Sequence, residues 1–214
     1  MTKDVSDKKN AGTVIDYSGS IKEQENRIIE QKIAPVVYSY EELTVFLQNV
    51  QGKTKVATSG YFNPVHKNHI SNIISSKYLE ADFLKEYGLQ PEVHLTVVVN
   101  GDWSAKKKLG GEVFMTAEHR ADIIRAIHGV DLVFIHEVES VHQASLIELA
   151  LFDVFTKGGD RDFASLPKEE QDALISSGTL MVGNVGYDKH EGTKDEVSSS
   201  KLRMVAKGSS IENL

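Results

Sequence analysis

Strand-like and helix-like stretches alternate along this chain, and that alternation predicts an α/β fold: a doubly wound sheet of about five parallel strands with helices on both faces. Three stretches carry the prediction. Lys55-Val56-Ala57-Thr58-Ser59 reads as a short buried strand and runs through a turn into a helical pattern. Val93 to Asn100, VHLTVVVN, is nearly continuous in β-branched residues, the mark of a strand buried on both faces. Between and after them lie amphipathic segments of helical length, and a right-handed crossover joins parallel neighbours.

The elements follow in order. Residues 1–38 are polar and weakly patterned and are expected to form an N-terminal extension, partly flexible, with at most a short helix over Ile21 to Ile33. The domain proper is expected over 39–214. Glu41 to Asn49 predicts a helix with Leu43, Phe46 and Leu47 on one face, ended by Gly52. After the first central strand, Gly60 to Pro64 predicts a turn, because Gly60 tolerates a positive φ and Pro64 keeps Asn63 out of the helical region. The next helix would present Ile70, Ile73, Ile74 and Tyr78 on one face. A helical piece over Ala81 to Leu89 stops at Gly88, and Val93 to Asn100 completes a βαβ unit.

Gly101 to Met115 is expected to be a loop. Thr116 to His128 predicts a helix with Thr116 as its cap, an apolar stripe of Ile123, Ile124 and Ile127, and Gly129 as its stop. Strands are expected at Asp131 to His136, Leu151 to Phe155 and Leu180 to Val182, with helices over Ser140 to Leu149 and Pro167 to Ser176.

Bulk properties narrow the chemistry. Without cysteine the chain offers no disulfide, thiolate metal site or thiol nucleophile. A net charge of −7 argues against nucleic-acid binding, so an anionic small substrate must be met by a local basic pocket. No apolar run reaches the length of a membrane span and the polar N-terminus is no secretory signal, so the expected location is cytoplasmic.

Four stretches could carry chemistry. His66 and His69, at i and i+3, stand at the mouth of a strand–turn–helix whose helix N-terminus suits a phosphate. Lys106, Lys107 and Lys108 lie beyond a strand's C-terminal end, either as a solvated charged loop or as point charges for phosphate. Gly158 and Gly159, bracketed by Lys157 and Arg161 and followed by Asp160, form either an ordinary turn or a binding loop. Ser198, Ser199 and Ser200, followed by Lys201 and Arg203, form either a solvated helix cap or a phosphate cradle.

GYFNPVHKNH resembles the signature G-x-F-x-P-x-H-x-G-H of the cytidylyltransferase-like nucleotidylyltransferases, with Gly60, Phe62, Pro64, His66 and His69 matching. Asn68 stands where that family has glycine and adds a side chain at a point of close backbone approach. Lys157-Gly158-Gly159-Asp160 resembles the K-G-G-D segment of sugar-phosphate nucleotidylyltransferases, and the serine run with Arg203 resembles the second signature. The motifs are closest to those of glycerol-3-phosphate cytidylyltransferases and heptose-1-phosphate adenylyltransferases.

The resemblance implies a Rossmann-like sheet and transfer of CMP or AMP from CTP or ATP to a phosphorylated sugar or polyol, with pyrophosphate leaving. It assigns catalysis to His66, His69, Lys106, Lys107 and Arg203. Nucleotide contacts fall to Ser59, Gly60, Tyr61, Phe62, Asn68, Arg120, Lys157, Gly158, Gly159, Asp160, Arg161, Ser198, Ser199 and Ser200. It implies Mg²⁺ brought on the triphosphate, no metal site of the protein's own, and a homo-oligomer. Two alternatives stand beside it: a nicotinamide-mononucleotide-type adenylyltransferase, and a nucleotide-binding regulatory module without catalysis. A zinc site on His66 and His69 lacks an evident third ligand in the spacing of the other histidines.

Overall fold

The computed structural model describes residues 33–111, 113–159 and 161–186. Six strands form one sheet: β1 (Val36–Val37), β2 (Thr54–Gly60), β3 (Val93–Asn100), β4 (Leu132–His136), β5 (Val154–Gly158) and β6 (Leu180–Val185). Their order is β1-β4-β3-β2-β5-β6, and every pairing is parallel. Among the described residues seven α-helices accompany them: α1 (Tyr40–Gln48), α2 (Lys67–Lys77), α3 (Ala81–Glu86), α4 (Asp102–Leu109), α5 (Ala117–Arg125), α6 (Ala144–Ile147) and α7 (Lys168–Ser177). The architecture is the expected doubly wound α/β sheet, with six strands where about five were expected. The additional one, β1, is a two-residue edge strand within the stretch whose sequence suggests only an extension.

Alternation along the strands feeds two cores. Val56, Leu95, Val97 and Val99 pack with Ile73, Leu84 and Ile124 under α2, α3 and α5. Ala57, Val98, Phe134 and Phe155 face the other way, onto Leu43, Leu47, Leu146 and Leu174 of α1, α6 and α7. All eight residues of β3 are buried, as a central strand covered on both faces requires. The chain walks from β2 to β3 to β4 on one side, then returns to place β5 on the other side of β2. The reversal between β2 and β5 is a topological switch point, where open α/β sheets hold ligands beyond their C-terminal strand ends.

Several elements depart from the sequence expectation. Gly101 to Met115 is not a continuous loop: α4 occupies Asp102–Leu109 and carries the three lysines on its last turn. The cause is distant in sequence, because the Glu137 carboxylate accepts the N–H groups of Asp102 (2.8 Å) and Trp103 (3.1 Å) at the helix start. Gly110, left-handed at φ 79°, ends it. The expected strand over Leu151 to Phe155 lies instead at Val154–Gly158, so Lys157 and Gly158 belong to the strand itself. The helix expected over Ser140 to Leu149 shortens to Ala144–Ile147. Phe62, not Gly60, carries the positive φ (49°) in the turn after β2. Gly60 is needed for space, since a Cβ there would lie 2.7 Å from the Phe62 ring.

Helix α2 differs most in its packing. Of the expected isoleucine stripe only Ile73 is buried; Ile70 and Ile74 are 38% and 42% exposed. Beside Ile73, the buried residues of this helix are polar. Asn72 Nδ2 donates to Thr58 Oγ1 at 2.8 Å, and Ser76 Oγ meets Thr156 Oγ1 at 2.7 Å, so α2 is tied across β2 and β5 by hydroxyl and amide groups. Glycines let the strands come close enough. A Cβ at Gly158 would lie 2.9 Å from Asn72 Cγ, and one at Gly186 would lie 2.6 Å from the backbone of Ser71 and Asn72. Gly158→Ala should therefore displace Asn72 and lower the stability by about 1–3 kcal/mol through overpacking, measured as a shift in the urea midpoint with unchanged m-value.

Candidate nucleotide site

The site is built on the turn that follows β2. Phe62, 1% exposed, fills the space under Gly60 and meets the His69 ring in a T-shaped contact, with centroids 5.0 Å apart and planes at 70°. Asn63 Oδ1 accepts the N–H of Phe114 at 3.1 Å, pinning the turn to the segment after α4. His66 caps α2 through its backbone: its carbonyl accepts the N–H groups of His69 (3.0 Å) and Ile70 (3.2 Å) while its own backbone stays extended. The two imidazoles lie with centroids 3.8 Å apart and planes 31° from parallel.

Both rings are held neutral. Burial pushes the His66 pKa below the ordinary histidine value of 6.5, and burial with repulsion from His66 pushes His69 down to about 3. Nδ1 of each ring is buried without a hydrogen-bond partner, so Nε2 is the nitrogen through which each ring would reach a ligand. A neutral ring protonated on Nε2 donates a hydrogen bond without bringing a second cation beside its neighbour.

Arg120 holds the turn from beneath. Its guanidinium, 0% exposed, donates to the carbonyls of Tyr61 (2.7 Å), Asn100 (2.6 Å) and Met115 (3.1 Å) and pairs with Asp102 Oδ1 at 2.7 Å. This arginine, which the resemblance assigns to the nucleotide contacts, is buried and bonded to the end of β3, the histidine turn, α4 and the approach to α5. Tyr61, whose carbonyl it holds, directs its phenol to the carbonyl of Val141 at 3.3 Å. Burial and the Glu170 carboxylate raise the Tyr61 pKa, and Arg161 opposes them.

Across the switch point, Lys157 at the end of β5 faces Ser59 at the end of β2, with Nζ 3.5 Å from Oγ. The Lys157 ammonium lies 4.9 Å above the Phe155 ring and 3.0 Å from Glu170 Oε2. Gly159 follows with φ 72°, and the carbonyl of Arg161 accepts the N–H of Asn184 at 3.2 Å, tying this loop to β6. Lys106, Lys107 and Lys108 are exposed on the last turn of α4. The structure thus gathers Ser59, Gly60, Tyr61, Phe62, His66, Asn68, His69, Lys157, Gly158 and Gly159 at the C-terminal strand edge. Asp160, Ser198, Ser199, Ser200 and Arg203 lie outside the described residues. Among the described residues no three His, Asp or Glu side chains are grouped to hold a metal ion.

Sequence reasoning missed Glu170, Gln143, Asn100 and Glu137. Glu170 sits in the run Lys168-Glu169-Glu170, which reads as first-turn charge in any exposed helix. Its burial at 3% follows only from how α7 lands on the sheet.

A histidine pair on a strand–turn–helix at a switch point defines a nucleotide-binding α/β protein, and comparison with known proteins gives its family. Residues 57–205 match the cytidylyltransferase-like family, and the chain belongs to it. It is 32% identical to an FAD synthase of Pyrococcus abyssi over 111 residues, 52% of this chain and 66% of that protein. It is 31% identical over 123 residues to the bifunctional protein HldE of Desulfatibacillum aliphaticivorans, 56% of this chain and 22% of that protein. The match therefore spans somewhat less than two thirds of the FAD synthase and about a fifth of the bifunctional protein. The structure of a lipopolysaccharide core biosynthesis protein from Thermoplasma volcanium covers 63% of this chain and 98% of its own, with a TM-score of 0.46 and 25% identity.

Two outcomes follow from this geometry. Arg120→Leu removes the donors of three carbonyls and leaves Asp102 without its cation, and should cost about 3–5 kcal/mol in urea unfolding. The histidine shifts set a pH dependence. Because both pKa values are lower folded than unfolded, the folded state resists protonation, and stability is full above the unfolded value of about 6.5. It should fall as pH drops from there toward 3, and in an NMR titration the His69 ring resonances should leave their neutral positions only as pH approaches about 3.

Proposed function

We propose that this protein transfers AMP from ATP to a phosphate monoester, releasing pyrophosphate. The observation that carries the reading is the pair of stacked, neutral histidines at the start of α2, set beside the switch point. An acceptor phosphate has a second pKa of about 6 and is already an anionic nucleophile at neutral pH, so no side chain has to activate it. One of its oxygens attacks the α-phosphorus, the bond from that phosphorus to the bridging oxygen of the β-phosphate breaks, and pyrophosphate leaves. The chemistry asks the protein for positioning and charge stabilisation.

His66 and His69 would donate from Nε2 to the α-phosphoryl oxygens. Lys157, with Lys106, Lys107 and Arg203, would balance the charge of the triphosphate and of the departing pyrophosphate. Magnesium would come with the triphosphate and be held chiefly by phosphate oxygens and water, the usual preference of this ion. ATP is favoured over CTP because the similar protein of Pyrococcus abyssi is an FAD synthase, and FAD is flavin mononucleotide joined to AMP. A polyol phosphate fits the same relative, since flavin mononucleotide carries its phosphate on a ribityl chain.

The test is pyrophosphate release with ATP or CTP, Mg²⁺, and flavin mononucleotide, sugar phosphates or polyol phosphates in turn. Release that needs both ATP and a phosphate acceptor is expected. Release with CTP alone overturns the choice of nucleotide, and tight nucleotide binding without pyrophosphate would make the protein a binding module. His66→Ala should lower kcat by about 10²–10³ while leaving the unfolding midpoint unchanged, the loss typical of a removed transition-state donor.

A further inference from the structure

Glu170 is a carboxylate in an unusual place. Its side chain is 4% exposed, and both oxygens are engaged. Oε2 lies 3.0 Å from the Lys157 ammonium, and Oε1 accepts the backbone N–H of Gln143 at 2.8 Å. Gln143 in turn donates from Nε2 to Asn100 Oδ1 at 2.7 Å, at the end of β3. One carboxylate on α7 thus links the ends of β5 and β3 around the central strand β2, whose Ser59 stands between them. A buried ion pair adds little stability over a well-packed apolar pair, so stability is a poor explanation for this one.

We propose that Glu170 is a positioning residue of the nucleotide site, holding the Lys157 ammonium charged at the end of β5 so that it can meet a phosphate beside Ser59. This rests on the nucleotide-transfer reading above. The described groups facing Lys157 are Glu170 from α7, Ser59 from β2, Phe155 of its own strand and Arg161 from the following loop; the Tyr61 phenol lies in the field of the same Glu170 and Arg161. Burial drives the Lys157 pKa down, Arg161 adds to that, and Glu170 opposes both. Without the carboxylate the amine would give up its proton at a lower pH. Phosphate affinity would then be retained at low pH and lost as pH rises through the new value.

The experiment is calorimetric titration with ATP and Mg²⁺ between about pH 6 and pH 9, each variant read as a ratio to wild type at the same pH. Glu170→Gln keeps an acceptor for the Gln143 N–H and replaces the oxygen that faces Lys157 with an amide NH₂, removing the charge and that acceptor together. It should bind within about threefold of wild type at the acid end and lose a further factor of about ten by the alkaline end, tenfold being one unit of titration. Lys157→Met should be weaker by about tenfold at every pH. Glu170→Gln combined with Lys157→Arg, whose cation does not titrate, should restore a flat ratio. A flat ratio for Glu170→Gln alone overturns the proposal and leaves the nucleotide reading standing. Lys157→Met that binds ATP as wild type does overturns it too, and decides the matter should the amide variant not fold. Wild-type protein that binds neither ATP nor CTP overturns both readings together.

Discussion

The buried guanidinium of Arg120 is the constraint on which the site depends. A charge with no exposure must have partners for its donors, and here four of the five N–H groups go to three carbonyls and a carboxylate from four different segments. Those carbonyls belong to the histidine turn, the end of β3 and the approach to α5. The geometry of the turn is therefore set by a charge behind it, and the segments cannot move apart without stranding that charge. Rigid placement of this kind is what a reaction that relies on positioning requires.

A second constraint is the polar seam between α2 and the sheet. Most sheet-packed helices bury an apolar stripe. Here Asn72 and Ser76 bond to Thr58 and Thr156, and glycines at 158 and 186 remove the side chains that would hold the helix off. Hydrogen bonds fix direction and register more sharply than apolar contact does. The histidines at the head of α2 inherit that precision.

The charge pattern fits a protein that is acidic overall. With a net charge of −7, the global field does not attract a triphosphate, so positive potential must be local. The structure separates two kinds of lysine. Lys106, Lys107 and Lys108 are exposed on the last turn of α4. Lys157 is largely enclosed, with 14% of its side chain exposed, and paired at the switch point. The sequence shows both simply as lysines near glycines.

What the sequence alone determined is everything that depends on local pattern. The run of β-branched residues in VHLTVVVN, the Thr116 cap, and the strand–turn–histidine motif each announce their element through neighbours within a few positions. The alternation of elements then fixes a doubly wound sheet, and the motif residues fix the family. What only the tertiary structure decided depends on groups far apart in the chain. Glu137 turns an expected loop into α4 from thirty-five residues away. Arg120, which the resemblance assigns to the nucleotide, is the buried brace of a turn 59 residues earlier. Glu170, which reads as ordinary first-turn charge, is buried against Lys157. A side chain's own neighbours set its propensity; its burial and partners are set by whichever segment the fold brings against it.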